Sequence, residues 1–288
     1  MTSFVPRPLE ELADEWPSQL DHISASSVKM AARCPEQWRQ RYVLGKKIPP
    51  AAVLLQGRAD HAAIERSMRQ KIDSHVDLPL EEVREFFVHQ FETEVELSGG
   101  IAEIEVRDAF GIAAKRQRVG EMKRQGQLNV VAYHNIVSPL VQPTTVEERF
   151  TMQVPGLPVT VIGYIDLVGQ HRGEEVLIDR KGSGKSRTTP EPEWTIQAEV
   201  YQLAKPLPHE WHITNTTNAR LVLPVGAPKL RVEVGPRARA ELQLQQIVAE
   251  IGHYMRTYGP DGEWPARGKL HTWACKFCGY QPTCWAWH

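Results

Sequence analysis

The chain has 288 residues, 41% of them hydrophobic, with 34 Lys and Arg set against 35 Asp and Glu. A net charge of -1 excludes a global positive field as the means of holding a polyanion, so any grip on nucleic acid has to be a local patch. The length allows a sizeable core, no apolar run reaches the roughly 20 residues that span a bilayer, and the start MTSFVPRPLEELADEW lacks the apolar stretch of a secretory signal; together these point to a soluble cytoplasmic protein.

The first twenty residues read as a loosely ordered arm. Ser24, Ser26 and Ser27 offer N-caps for a helix running to about Tyr42, with Cys34 in its interior. Pro49 and Pro50 break it. A second helix, from about Ala52 to Lys71, sets Gln56, Gly57, His61 and Glu65 on related turns. Helices follow over about Leu80 to Leu97 and Ile101 to Val141, the latter interrupted or bent.

From Thr145 the pattern switches to the β-branched content and alternation of strands. VEERFTMQV leads through a Pro-Gly-Leu-Pro turn to VTVIGYIDLVGQ and then EEVLIDRKG, an antiparallel meander by its turn spacing. A helix over Trp194 to Ala204, strands in ARLVLPV and KLRVEV, and an amphipathic helix from Arg237 to about Tyr258 come next. The last thirty residues are loop-like.

Four cysteines divide into a lone Cys34 and a C-x2-C-x5-C group of Cys275, Cys278 and Cys284. A reducing compartment makes two disulfides the lesser reading and ligation of an inorganic centre the greater one, and three soft ligands call for a fourth, so one centre would fasten the two ends of the fold. Four thiolates suit either zinc or an iron–sulfur cluster. Trp273, Trp285 and Trp287 are expected to pack around it.

In VLIDRKG the strand period places Asp179 and Lys181 on one face, and Asp166 lies on the neighbouring strand, with Gly163 permitting close backbone approach. Two carboxylates on adjacent strands can converge on a hard cation, and such an ion polarises a phosphodiester and acidifies water. An isolated Asp-x-Lys is more often a plain surface ion pair. The distinguishing feature is the ordered series His61, Asp166, Asp179-x-Lys181 and Gln197-x-x-x-Tyr201, the last two sharing a helical face toward a DNA strand laid across the site. GSGKS, from Gly182 to Ser186, lacks the spacing of a nucleotide-binding loop and reads as a flexible segment near the phosphate path, with its own Lys185 and the following Arg187 as DNA-binding candidates.

Taken together, SASSVKMAARCPEQWRQRYVLG, GRADHAAIE, GYIDLV, LIDRKG, QAEVYQLA and the terminal cysteine group resemble the RecB-like branch of the PD-(D/E)xK nuclease superfamily, from about Ser24 to Cys284. The chain is similar to the CRISPR-associated RecB-like exonucleases and to the nuclease domains of helicase-nucleases. The resemblance implies an α/β (α+β) restriction-endonuclease-like core, a mixed central sheet flanked by helices. It further implies one nuclease domain over 1–288, with a helical N-terminal part at 20–145, the core at 146–258 and an iron–sulfur segment at 259–288.

Residue by residue, it implies that His61, Asp166, Asp179 and the backbone carbonyl of Arg180 hold Mg2+ or Mn2+, and that Lys181 is the catalytic lysine. Gln197 and Tyr201 would lie near the DNA, and Cys34, Cys275, Cys278 and Cys284 would bind a 4Fe-4S cluster. The implied activity is a metal-dependent DNA exonuclease on single-stranded or end-processed DNA, working with partners in recombination, repair, or phage or CRISPR DNA processing. The competing reading is a non-catalytic DNA-binding or complex-assembly module on the same fold.

Overall fold

The computed structural model describes residues 16, 20–107, 109–266, 275 and 278–287. Trp273 and most of the expected N-terminal arm lie outside these residues. Seven strands make one mixed sheet: β1 (His22–Ser24), β2 (Val141–Met152), β3 (Thr160–His171), β4 (Glu174–Ser183), β5 (His209–Asn215), β6 (Leu221–Val222) and β7 (Arg231–Val232). As expected from their turns, β2, β3 and β4 form an antiparallel meander. Two strands join in parallel, β1 on β3 and β5 on β4.

The pairing of β3 positions everything that follows. One edge is bonded to β2 along most of its length, while the other is shared between β1 at Thr160 to Ile162 and β4 at Leu167 to His171. Beyond the pair Leu167–Ile178, β4 parts from β3 and continues against β5 as far as Ser183–Asn215. The sheet therefore forks.

Helices cover both faces, because each face of the sheet carries an apolar set that must be removed from water. On one side α3 (Ala52–Ser74), α4 (Leu80–Leu97) and α5 (Gly111–Ile136) bring Leu55, Met68, Phe87, Phe91 and Val130 onto Val146, Leu167, Val176 and Ile178. On the other side α1 (Ala25–Arg33), α6 (Pro192–Ala204) and α7 (Arg237–Tyr258) pack on Val161, Val168 and Leu177. The result is the mixed sheet flanked by helices that the fold class requires.

Three local expectations are corrected. The first helix does not run from Ser24 to Tyr42: it stops at Arg33, and Cys34 is extended at φ -158°, ψ 106° before α2 (Pro35–Trp38) and a π-helical turn over Arg39–Val43. Pro35 disfavours helical geometry at the residue preceding it and itself fits the first helical position. Cys34 thus sits at a junction between helices. The helix expected over 101–141 occupies only Gly111–Ile136. ARLVLPV and KLRVEV contribute just two paired residues each, while HEWHITN, unanticipated, is a central strand buried at every position.

The polar residues of β5 are accommodated by one another. Glu210 Oε2 lies 2.7 Å from His171 Nδ1 and 3.3 Å from His212 Nε2, and its Oε1 accepts from Arg231 Nη1 at 3.0 Å. His209 is different: both ring nitrogens are buried without a hydrogen-bond partner, and burial holds its pKa down at about 3. The unfolded chain takes up a proton at this position below pH ~6.5 and the folded one does not, so stability falls as pH drops through that value. His209→Leu is expected to remove about 2 kcal/mol of the stability lost between pH 7 and pH 5, measured as urea midpoints with their slopes. An unchanged pH dependence in the variant would contradict this.

Candidate active site

Asp166 and Asp179 are the first residues past the last pair joining β3 to β4, so the fork sets them side by side. The Asp179 side chain is only 1% exposed and that of Asp166 17%. Lys181 Nζ donates to Asp179 Oδ1 at 2.9 Å. It also lies 2.8 Å from Oδ2, but outside hydrogen-bonding geometry, which leaves Oδ2 buried without a well-placed donor.

From the opposite layer α3 delivers His61, whose Nε2 is 2.9 Å from Asp166 Oδ2 and whose Nδ1 is 3.4 Å from Glu147 Oε1. His61, Glu147 and Asp166 each offer a ligand atom, and these lie within 4.8 Å of one another. Sequence reasoning missed Glu147. On β2, between the pairs Val146–Leu167 and Glu148–Ile165, it adopts φ 52° in the left-handed region. That conformation costs about 1–2 kcal/mol for a residue with a Cβ, and nothing in VEERF announces it.

The charges are strongly coupled. Burial pushes Asp179 up to about 6, helped by the negative charge of Asp166 and opposed by Lys181. Burial would raise Asp166 too, but the hydrogen bond and charge of His61, with Lys181, hold it well below the usual carboxylate range. Burial and the charge of Asp166 bring Glu147 up to about 7. Burial disfavours charge on His61 and Lys181, yet their carboxylate partners raise both above their ordinary values.

A second set of contacts fixes Lys181. Its Nζ also donates to Gln197 Oε1 at 3.1 Å, and Gln197 Nε2 donates to Tyr201 Oη at 2.7 Å. Tyr201 meets Phe150 edge-on at 5.9 Å, and the Phe150 ring lies against Gly163, where a Cβ would come within 2.5 Å of it. Gly163 therefore permits the close approach expected of it, here to an aromatic ring. Gln197 and Tyr201 are buried, with their polar atoms turned to each other and to Lys181.

Arg180 points to the other side of β4, donating to Asp60 Oδ2 at 2.9 Å and standing 4.2 Å over the Tyr133 ring. A cleft of about 340 Å³ opens beside His61 and Lys181, walled by Val53, Leu54, Asn129 and Thr216. Six of the expected residues, His61, Asp166, Asp179, Lys181, Gln197 and Tyr201, are thus brought together. Lys185 is exposed on the loop after β4, and Arg187 is paired with Glu191 at 2.6 Å. A further buried trio, His171, Glu210 and His212, has its carboxylate already neutralised by Arg231.

The four cysteines line one small cavity, with Glu36, Gln40 and Trp287 around it. Burial first, and then neighbouring thiols led by Cys34, push the thiols of Cys275 and Cys278 up; burial, Glu36 and then Cys34 do so for Cys284. The chain ends are also joined directly: Trp264 N donates to Glu36 Oε2 at 3.1 Å, Tyr280 Oη to Lys46 O at 3.0 Å, and Trp38 stacks on Trp264 at 6.0 Å.

A sequence model described as the PD-(D/E)XK nuclease superfamily matches residues 22–285. No curated protein matches the chain. Among solved structures, one titled "Crystal structure of SSO0001" is similar over 97% of this chain and 95% of its own, at 14% identity and a TM-score of 0.41.

An ion entering the fork must displace the protons that burial holds on Asp179 and Glu147, and must find His61 neutral. All three requirements favour higher pH. Mn2+ affinity followed by calorimetry is expected to strengthen by at least about tenfold from pH 5.5 to pH 7.5. A flat profile would count against binding at these groups.

Proposed function

The chain belongs to the PD-(D/E)XK nuclease superfamily, and on that footing we propose that it is a RecB-like DNA exonuclease carrying an iron–sulfur cluster. Membership implies a metal-dependent nuclease with DNA as substrate. The finer reading is that the enzyme degrades single-stranded or end-processed DNA, in recombination, repair, or phage or CRISPR DNA processing. The observation that carries the catalytic assignment is the meeting of His61, Asp166, Asp179 and Lys181 at the fork between β3 and β4.

The donor set fits a hard divalent ion. One imidazole and buried carboxylates, with a buried Asp179 oxygen lacking a good donor, suit Mg2+ or Mn2+ better than a soft metal. His61, Asp166, Asp179 and the carbonyl of Arg180 would hold it, with Glu147 close by. Such an ion supplies charge to the scissile phosphate and acidifies water.

The protein's own contribution is positioning. Lys181, with a raised pKa, keeps its proton at neutral pH and presents an ammonium beside Asp179, where it can orient water or meet negative charge developing on phosphate. Gln197 and Tyr201 act through Lys181 by fixing its amine, and Lys185 borders the phosphate path. Complete ligands and an ordered lysine favour catalysis over a purely binding role.

For the cluster, the supporting observation is that Cys34 and the three distant cysteines share one cavity. Four soft donors lining one small cavity suit either a 4Fe-4S cluster or zinc, and the sequence resemblance favours the former.

Two outcomes are expected. Asp179→Asn and Lys181→Gln should keep the far-ultraviolet dichroism of the parent while lowering cleavage of end-labelled DNA in Mg2+ or Mn2+ by at least about 100-fold. Either variant cutting at the parental rate would remove the site assignment. Anaerobically purified protein should be brown, with iron and sulfide in equal amounts, and Cys284→Ser should lose both. Colourless protein with stoichiometric zinc would show that the cysteines hold that metal instead.

A further inference from the structure

A second lysine reaches the site from α1. Lys29 Nζ donates to Gln197 Oε1 at 3.3 Å, the same oxygen that accepts from Lys181 at 3.1 Å. Two ammonium groups 168 and 16 residues away in sequence thus converge on one neutral carbonyl oxygen. Lys181 has Asp179 as its counter-ion, whereas Lys29 makes no ion pair with any described residue. Asp179 and Glu193 act on it only at longer range, and Glu193 is bonded to Arg33, one turn further along α1. A half-buried ammonium held by an uncharged amide, beside the proposed nuclease site, has the chemistry to bind an anion.

We propose that Lys29 is a phosphate-binding residue, seating the substrate phosphate next to the one that faces Lys181. This rests on the nuclease reading above and extends it from the reacting phosphate to its neighbour along the strand. α1 and α6 place it there: Lys29 opposite Gln197 and Arg33 opposite Glu193 show the two helices running past each other with matched spacing. Burial and the nearby Lys181 charge lower the Lys29 pKa, consistent with a cation that awaits a partner. Because the contact is to a phosphate that does not react, it is made equally in the bound ground state and in the transition state. Its loss should therefore weaken binding more than it slows chemistry.

The test compares the parent protein with Lys29→Met and Lys29→Arg on a fluorescent single-stranded oligonucleotide. Anisotropy in Ca2+ gives Kd between 50 and 200 mM salt on the order used to resolve counter-ion release, and single-turnover cleavage in Mn2+ at saturating DNA gives the chemical rate. The assignment predicts a Kd weakened by about tenfold in Lys29→Met, and a salt slope shallower by about 0.7, as for one lost phosphate contact on a single strand. It also predicts a chemical rate within about threefold of the parent's. Lys29→Arg should recover both affinity and slope. A packing role would leave the salt slope unmoved, and parental Kd and slope in Lys29→Met, with the parent cleaving normally, overturns the proposal. A parent protein that neither binds nor cuts DNA sinks the nuclease reading itself, so the two failures are distinct.

Discussion

Two carboxylates side by side, Asp179 buried and Asp166 largely so, set the terms for the rest of the molecule. Like charges withdrawn from water repel one another strongly, and neither can ionise without a cation nearby. Two protein cations come from opposite sides of the sheet, His61 from α3 and Lys181 from β4. They are distributed unequally, which is why one acid is held low and the other is pushed toward neutrality. The protein's own cations balance the arrangement only in part, and the proposed divalent ion would complete it.

The fork explains how such a site is reached at all. In a continuous ladder these acids would stand as a cross-strand pair, closed in by the layers above and below. Because β4 leaves β3 after Ile178 while staying bonded to β5 on its other edge, a gap opens at that pair, and His61 reaches it from one face while Lys181 and Gln197 stand on the other. Support then passes outward through packed groups, from Gln197 to Tyr201 to Phe150 lying on Gly163. β5 matters here as the partner that holds β4 open.

What could be read in the sequence follows physical lines. Asp179 and Lys181 share a face by the period of two, and Gln197 and Tyr201 by the period of four, so local geometry made them legible. Glu147 was not, because its role depends on a left-handed backbone within a strand. HEWHITN escaped because a run with two histidines, a glutamate and an asparagine does not look buried. Glu210 is accommodated by His171 and Arg231 from distant segments and by its neighbour His212, and those contacts let the run be buried. Cys34 was misplaced inside a helix although Pro35 marked the break. Lys29 carried no signal, since a single lysine on a short helix has no pattern to set it apart.

Segments from the first and last parts of the chain meet at a second seam. Glu36, Trp38 and Lys46 contact Trp264 and Tyr280 directly, and the thiol cavity lies at that seam. A centre there would stiffen a closure already present, holding α1, and with it Lys29, against α6. The central claim concerns the fork, and it is tested most directly by anomalous diffraction from crystals of the protein soaked in Mn2+. The account predicts a strong peak within about 2.5 Å of side-chain atoms of His61, Asp166 and Asp179. Manganese bound instead at His171, Glu210 and His212, with the fork empty, would contradict it.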